Sequence, residues 1–207
     1  MQTHNTKGAI LVISGPSGCG KSSLLKELYK EINNYYFSIS TTTRGIREGE
    51  QDGIDYNFVS KEQFEHDIKD ENFLEWAKVH DNYYGTSLKP IMDAVNDGKL
   101  VIFDIDVQGH DIVQEKLAHL TTSVFITTPT LSELQHRLDN RNTDTQEVIN
   151  KRIQNAKLEI NALDRYDYFI INDDLKTASS NLISVAKATM LKSKLFSKKE
   201  LINNWLN

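Results

Sequence analysis

Eight residues, Gly15-Pro16-Ser17-Gly18-Cys19-Gly20-Lys21-Ser22, carry the clearest chemistry in this sequence. Their order fits G-x-x-x-x-G-K-[ST], a phosphate-binding loop. Glycines let successive backbone N–H groups converge on phosphate oxygens, and a helix opening there adds the positive end of its dipole. Lys21 would neutralise the β- and γ-phosphates of a nucleoside triphosphate, and the Ser22 hydroxyl would ligate Mg²⁺. The bland alternative is a glycine-rich turn with a surface lysine. Context decides between them: the apolar run Ala9–Ile13 precedes the loop as a buried strand would. Leu24, Leu25 and Leu28 follow on one helical face.

Three other groups could act with that loop. Arg44 and Arg47 stand three apart in the hydroxyl-rich segment Thr41-Thr42-Thr43-Arg44-Gly45-Ile46-Arg47-Glu48-Gly49-Glu50. They form a fork for a second phosphate, or are solvated and paired with Glu48 or Glu50. Leu100-Val101-Ile102-Phe103-Asp104-Ile105-Asp106 is a second buried strand whose period puts Asp104 and Asp106 on one side near its carboxyl end. Ligands of open α/β sheets sit at that end, and an aspartate there is the expected outer partner of Mg²⁺. For Asp106, a turn-initiating role before Gly109 stays open. Finally, Arg137, Arg141 and Arg152 flank the polar break Asn142–Thr145, as a lid over the site or as charges on solvated helix faces.

Positioning these groups takes alternating strands and helices. Strands are expected at residues 36–40, 73–79, 123–127 and 168–172. Helices are expected at 60–70, 87–96, 131–140, from the break to about 163, and at 175–190. Phe73–Val79 alternates with strand period and sets Glu75 between apolar neighbours, free to pair with Lys78. Strands separated by helices give a parallel β-sheet core covered on both faces. The stretch 35–87 interrupts that alternation and reads as an inserted subdomain. Ser197-Lys198-Lys199-Glu200 is a capping-box pattern before Leu201, Trp205 and Leu206, so a short amphipathic tail helix is expected to dock on its own domain.

The whole chain bounds the rest. Its 207 residues suit one domain with insertions, and 39% hydrophobic with 26% charged residues is globular composition. A net charge of −5 recruits no nucleic acid, so anion sites must be built locally. The one cysteine, Cys19, excludes an internal disulfide and fits a reducing compartment. The six histidines are scattered without metal-ligand spacing and read as mostly surface residues. Met1 to Gly8 is polar, and no apolar run approaches the roughly 20 residues of a membrane span. A cytoplasmic protein with no membrane partner is expected; monomer and homodimer both stay open.

Several blocks together resemble the guanylate kinase family. They are Gly15–Ser22, Ser38–Arg44 with Arg47, Asp52–Tyr56, Phe73–Ala77, Asn82–Ser87, Asp104–Gly109, Arg137–Arg141 and Tyr166–Tyr168, in unbroken order from about residue 8 to 185. The resemblance implies an α/β P-loop fold in which the γ-phosphoryl of ATP passes to GMP with Mg²⁺. Its core would be 1–34, 88–130 and 164–207, its GMP-binding insert 35–87 and its helical lid 131–163. ATP would lie on Gly15, Pro16, Ser17, Gly18, Cys19, Gly20, Lys21, Ser22 and Ser23. Arg44, Arg47, Tyr56 and Tyr84 would hold the GMP phosphate. Ser40, Glu75 and Thr86, helped by Asp104 or Asp106, would read guanine. Lys21, Arg44, Arg137, Arg141 and Arg152 would carry catalysis, and Ser22 with Asp104, directly or through water, the metal. Asn142 stands where the family usually has glycine, and His80-Asp81 where a glycine is common. Related domains that bind phosphopeptides without catalysis degrade the loop, whereas Gly20, Lys21 and Ser22 are intact here. A kinase for another monophosphate is the alternative among enzymes.

Overall fold

A computed structural model of the chain describes residues 7–79, 81–140 and 145–206. In order, the first half runs β1 (Ala9–Ser14), α1 (Lys21–Glu31), β2 (Tyr35–Phe37), β3 (Thr41–Thr42), β4 (Asn57–Phe58), α2 (Lys61–Lys69), β5 (Phe73–Val79) and β6 (Asn82–Ser87). The second half runs α3 (Leu88–Asn96), β7 (Leu100–Asp104), α4 (Val107–Leu117), β8 (Thr121–Thr127) and α5 (Leu131–Asp139). It ends with α6 (Gln146–Glu159), β9 (Tyr168–Ile171), α7 (Leu175–Thr189) and α8 (Lys198–Leu206).

Five strands form a parallel sheet in the order β2-β7-β1-β8-β9. At its centre every residue of β1 is buried, because helices cover both faces and a strand so placed has no polar side. Ile13 pairs with Asp104 on one side and Val124 on the other, so β1 and β7 end at one level while β8 runs on to Thr127. The loop from Gly15 springs from that level, at the carboxyl ends where ligands of such sheets lie. Side-chain oxygens of Asp106, Thr130, Thr145 and Asp174 cap α4, α5, α6 and α7 by accepting first-turn N–H groups.

The second sheet, ordered β4-β3-β6-β5, is smaller. Two of its strands have only two residues each. Its core is aromatic: the Phe64 ring of α2 stacks on Phe73 at 4.2 Å and on Tyr83 at 5.2 Å.

Several expected boundaries move. Tyr35–Phe37 pairs with β7 in the core sheet, held by a 4.5 Å stack of Tyr35 on Tyr29, so a boundary before residue 35 is too early. The strand to Asp106 stops at Asp104, because Asp106 turns the chain into α4. The long helix ends at Glu159 and continues as a 3-10 turn to Arg165. His110 is not a surface histidine; it is buried and stacks on Tyr166 at 4.0 Å. The tail docks through Leu195, which is buried, but α8 buries none of its residues and Trp205 is 85% exposed. Among the described residues no helix is long and apolar enough to cross a membrane.

Candidate active site

The loop after β1 is fixed by close approach. Gly15 has φ +145°, and a Cβ there would stand 1.9 Å from the Ile126 carbonyl oxygen. Gly20, at φ +96°, would put a Cβ 2.3 Å from the side-chain nitrogen of Asn172. That nitrogen donates to the Cys19 carbonyl at 2.8 Å, while the backbone N–H of Asn172 donates to Thr127. Cys19 is buried, and burial pushes its thiol up, which makes it packing under the loop rather than a nucleophile.

Lys21 opens α1 and donates from Nζ to the Gly15 carbonyl at 2.6 Å, with Asp104 Oδ1 at 3.8 Å. Burial raises the Asp104 carboxyl above its ordinary value, and Lys21 opposes the shift. Gly15–Gly18, Gly20–Ser22, Asp104–Asp106 and Glu159 line one cleft of roughly 350 Å³. Ser22 and Ser23 face outward at the start of the helix. Asp106 lines the cleft, but its Oδ1 accepts the N–H groups of Gln108 and Gly109, so the turn-initiating alternative describes that oxygen.

Helices α5 and α6, the expected lid, reach this cleft. Arg152 Nη1 donates to Ser17 Oγ at 2.7 Å. Arg137 pairs with Glu133 at 2.7 Å, and its Nη1 passes 3.9 Å from the Cβ that Gly20 lacks. Glu159 ends the same helix as Arg152; burial raises its carboxyl, and Lys21 again works against the shift. His80, Arg141 and Asn142 lie outside the described residues.

In the insert the groups are side chains. Arg44 donates to Glu50 through Nη2 at 2.7 Å and Nη1 at 3.0 Å, and its guanidinium stands 5.4 Å from the Tyr56 ring centre. Tyr84 meets Tyr56 edge to face at 6.1 Å. Arg47 joins by its backbone, its N–H donating to the Glu50 carboxylate and its carbonyl accepting from the Glu50 N–H; its side chain is exposed. Of the alternatives for the two arginines, pairing with Glu50 is what the ligand-free protein shows for Arg44. Along β6, Tyr84 and Thr86 share one face. Thr86 Oγ1 donates to Glu75 Oε1 at 2.7 Å across the β5–β6 ladder. Lys78 lies instead over the Tyr83 ring, so Glu75 is not its partner. Ser40 lies half-buried just before β3, and its carbonyl accepts from Asn57.

The structure therefore builds two clusters, one at the loop and one on the insert sheet. Sequence reasoning missed Asn172 and Glu159. Asn172 ends an apolar strand at the sheet's carboxyl edge, the signal that found Asp104. Glu159 had none.

A sequence model of guanylate kinase matches residues 7–189. The chain belongs to the guanylate kinase family. It is 54% identical to the guanylate kinase of Sulfurimonas denitrificans over 202 residues, covering 98% of each chain. With that of Wolinella succinogenes it shares 53% over 98% of this chain and 94% of the other. The crystal structure of guanylate kinase from Anaplasma phagocytophilum superposes with a TM-score of 0.70 at 30% identity, over 97% of this chain and 96% of that one. The family's P-loop α/β fold is the one described above, and the intact loop sets this guanylate kinase chain with nucleoside monophosphate kinases rather than with binding modules.

Proposed function

We propose that the two clusters hold ATP and GMP, and that the γ-phosphoryl group passes between them in the cytoplasm. The observation that carries this is the insert sheet. Tyr84, beside Arg44, and Thr86, bonded to Glu75, lie two residues apart on one strand face, a spacing of about 7 Å. A phosphate at the first and a base at the second is the layout of a nucleoside monophosphate. Glu75 can accept from two adjacent donors, and guanine presents two, N1–H and the 2-amino group. Adenine offers an acceptor and no amino group there, so the same carboxylate repels it. Thr86, whose proton already goes to Glu75, serves first by aiming that carboxylate. Ser40 and the free oxygens of Asp104 or Asp106 complete the base site.

At the loop, Gly15–Ser23 cradles the ATP phosphates, and Lys21 moves from the Gly15 carbonyl to phosphate oxygen. Ser22 and Asp104 are oxygen donors lining one cleft, a set that fits a hard cation such as Mg²⁺. When bound, Mg²⁺ would screen the charge on the ATP phosphates. Arg137, Arg141 and Arg152 surround the group in transfer, and Arg44, Arg47, Tyr56 and Tyr84 hold the accepting phosphate. No covalent enzyme intermediate is needed; positioning and charge neutralisation suffice.

Glu75→Gln tests the base site. It nearly keeps the shape but turns one acceptor into a donor aimed at a donor. The expected cost is about 2–4 kcal/mol, or roughly 30- to 1,000-fold in kcat/KM for GMP. A variant keeping wild-type kcat/KM for GMP and wild-type rejection of AMP would remove Glu75 from the base site.

A further inference from the structure

Among the described residues of the insert, Glu50 is the one side chain whose carboxylate is engaged on both oxygens by groups assigned to the substrate phosphate. Oε1 accepts from Arg44 Nη2 at 2.7 Å, and Oε2 accepts from Arg44 Nη1 at 3.0 Å and from the Arg47 backbone N–H at 2.8 Å. A second bond from Arg44 Nη1 goes to the Gly45 carbonyl at 2.8 Å.

A guanidinium has five N–H donors in a planar fork. Here the end-on edge, Nη1 with Nη2, belongs to Glu50, and the outer Nη1 hydrogen to Gly45. Neither partner takes the side-on edge, Nε with the second Nη2 hydrogen, which can take two oxygens of one phosphate in parallel bonds. The plane itself is fixed by rings: Tyr56 at 5.4 Å and Phe58 at 5.6 Å from the guanidinium carbon. The Tyr84 hydroxyl interacts with the same group.

We propose that Glu50 is a positioning residue for the monophosphate: it holds Arg44 by one edge so that the other edge is presented to the substrate's phosphate. This rests on the assignment of Arg44 to that phosphate. The pair is then kept, not exchanged, when substrate binds. One carboxylate also sets the loop between Arg44 and Arg47, so the two arginines are placed together. Glutamine cannot replace it, because its amide nitrogen would face a guanidinium donor. Aspartate is one methylene shorter and reaches one guanidinium nitrogen instead of two.

Steady-state kinetics of Glu50→Gln, Arg44→Met and the double variant test this. Glu50→Gln should raise KM for GMP by about tenfold, the loss of a charge-assisted bidentate hold. KM for ATP, and kcat at saturating GMP, should stay within about twofold. Because Glu50 acts through Arg44, the double variant should be no worse for GMP than Arg44→Met alone. Should Glu50→Gln not fold, Glu50→Asp carries the same pattern at smaller size. If Arg44→Met leaves KM for GMP unchanged, the assignment of Arg44 fails and the proposal with it. If Arg44→Met raises KM but Glu50→Gln leaves it unchanged or lowers it, Glu50 is a competitor of phosphate and the proposal alone is overturned. The same holds if KM for ATP rises in step, or if the two substitutions add, since a merely structural role would do both.

Discussion

The loop after β1 offers a phosphate backbone N–H groups and one lysine, packed so closely that a Cβ at Gly15 would collide with the Ile126 carbonyl. The insert would offer it a guanidinium held by the Glu50 carboxylate and two tyrosines, on strands of two to seven residues beside an exposed loop. A site made of backbone inherits its geometry from the core: β1 is wholly buried and hydrogen-bonded on both sides. A site made of side chains inherits its geometry from pairs, and each pair can be edited without touching the fold. The first suits the triphosphate common to all kinases of this class. The second suits the substrate that must be distinguished.

Substitutions can break or sharpen that contrast. The largest effect is expected at Lys21→Ala, which removes the one side-chain charge the loop itself would offer a phosphate. Turnover should fall by between about 10² and 10³, while denaturant unfolding changes by no more than about 1 kcal/mol, the bond to the Gly15 carbonyl. Wild-type turnover with an unchanged fold would reduce the loop to structure.

Next is Gly15→Ala. Its left-handed φ and the 1.9 Å clash leave no local relief, so chemical denaturation should show a loss on the order of 3 kcal/mol. Gly45 in the insert has nothing within 4 Å of its missing Cβ, and Gly45→Ala should change stability by less than about 0.5 kcal/mol. Similar losses at both positions would erase the distinction between a packed and an open site.

Between those lies a pH effect of opposite sign in the two regions. Arg44 beside Glu50, with the Arg47 N–H, holds that carboxyl below its ordinary value. Its contribution is present above the unfolded pKa and is lost as pH falls through the lower folded one. Burial holds Asp104 above its ordinary value. Its cost is therefore absent below the unfolded pKa and appears as pH rises toward the folded one. Asp104→Asn should then be slightly more stable than wild type near about pH 7, by less than about 1 kcal/mol, with the gain vanishing below about pH 4. Thermal melts across that range check it; a gain that grew toward acid would reverse the sign.

The same contrast explains what could be read from the sequence. A backbone site needs glycines at set intervals and a strand before them, so Gly15–Ser22 and Asp104 were legible as pattern. Glu75 with Thr86 was not, because their meeting depends on a register that a bulge between Phe73 and Glu75 shifts. The resemblance supplied the residues but not the bond between them. Tyr35–Phe37 is too short for its period to say which sheet it joins, and a ring stack on Tyr29 decides. Asp106 was ambiguous because strand period and helix capping compete for one residue, and the cap won. In α8 the capping pattern was read correctly, with Glu200 N–H donating to Ser197, yet no packed face follows from a cap.

The central claim is that the insert, not the loop, chooses the substrate. The most direct measurement is ADP release with ATP and Mg²⁺ on GMP, AMP, UMP and dTMP in turn, compared as kcat/KM. Guanine has the two adjacent donors that Glu75 would accept, and the other bases lack the pair, so GMP should exceed AMP by roughly two orders of magnitude or more. Equal values for GMP and AMP would contradict the account.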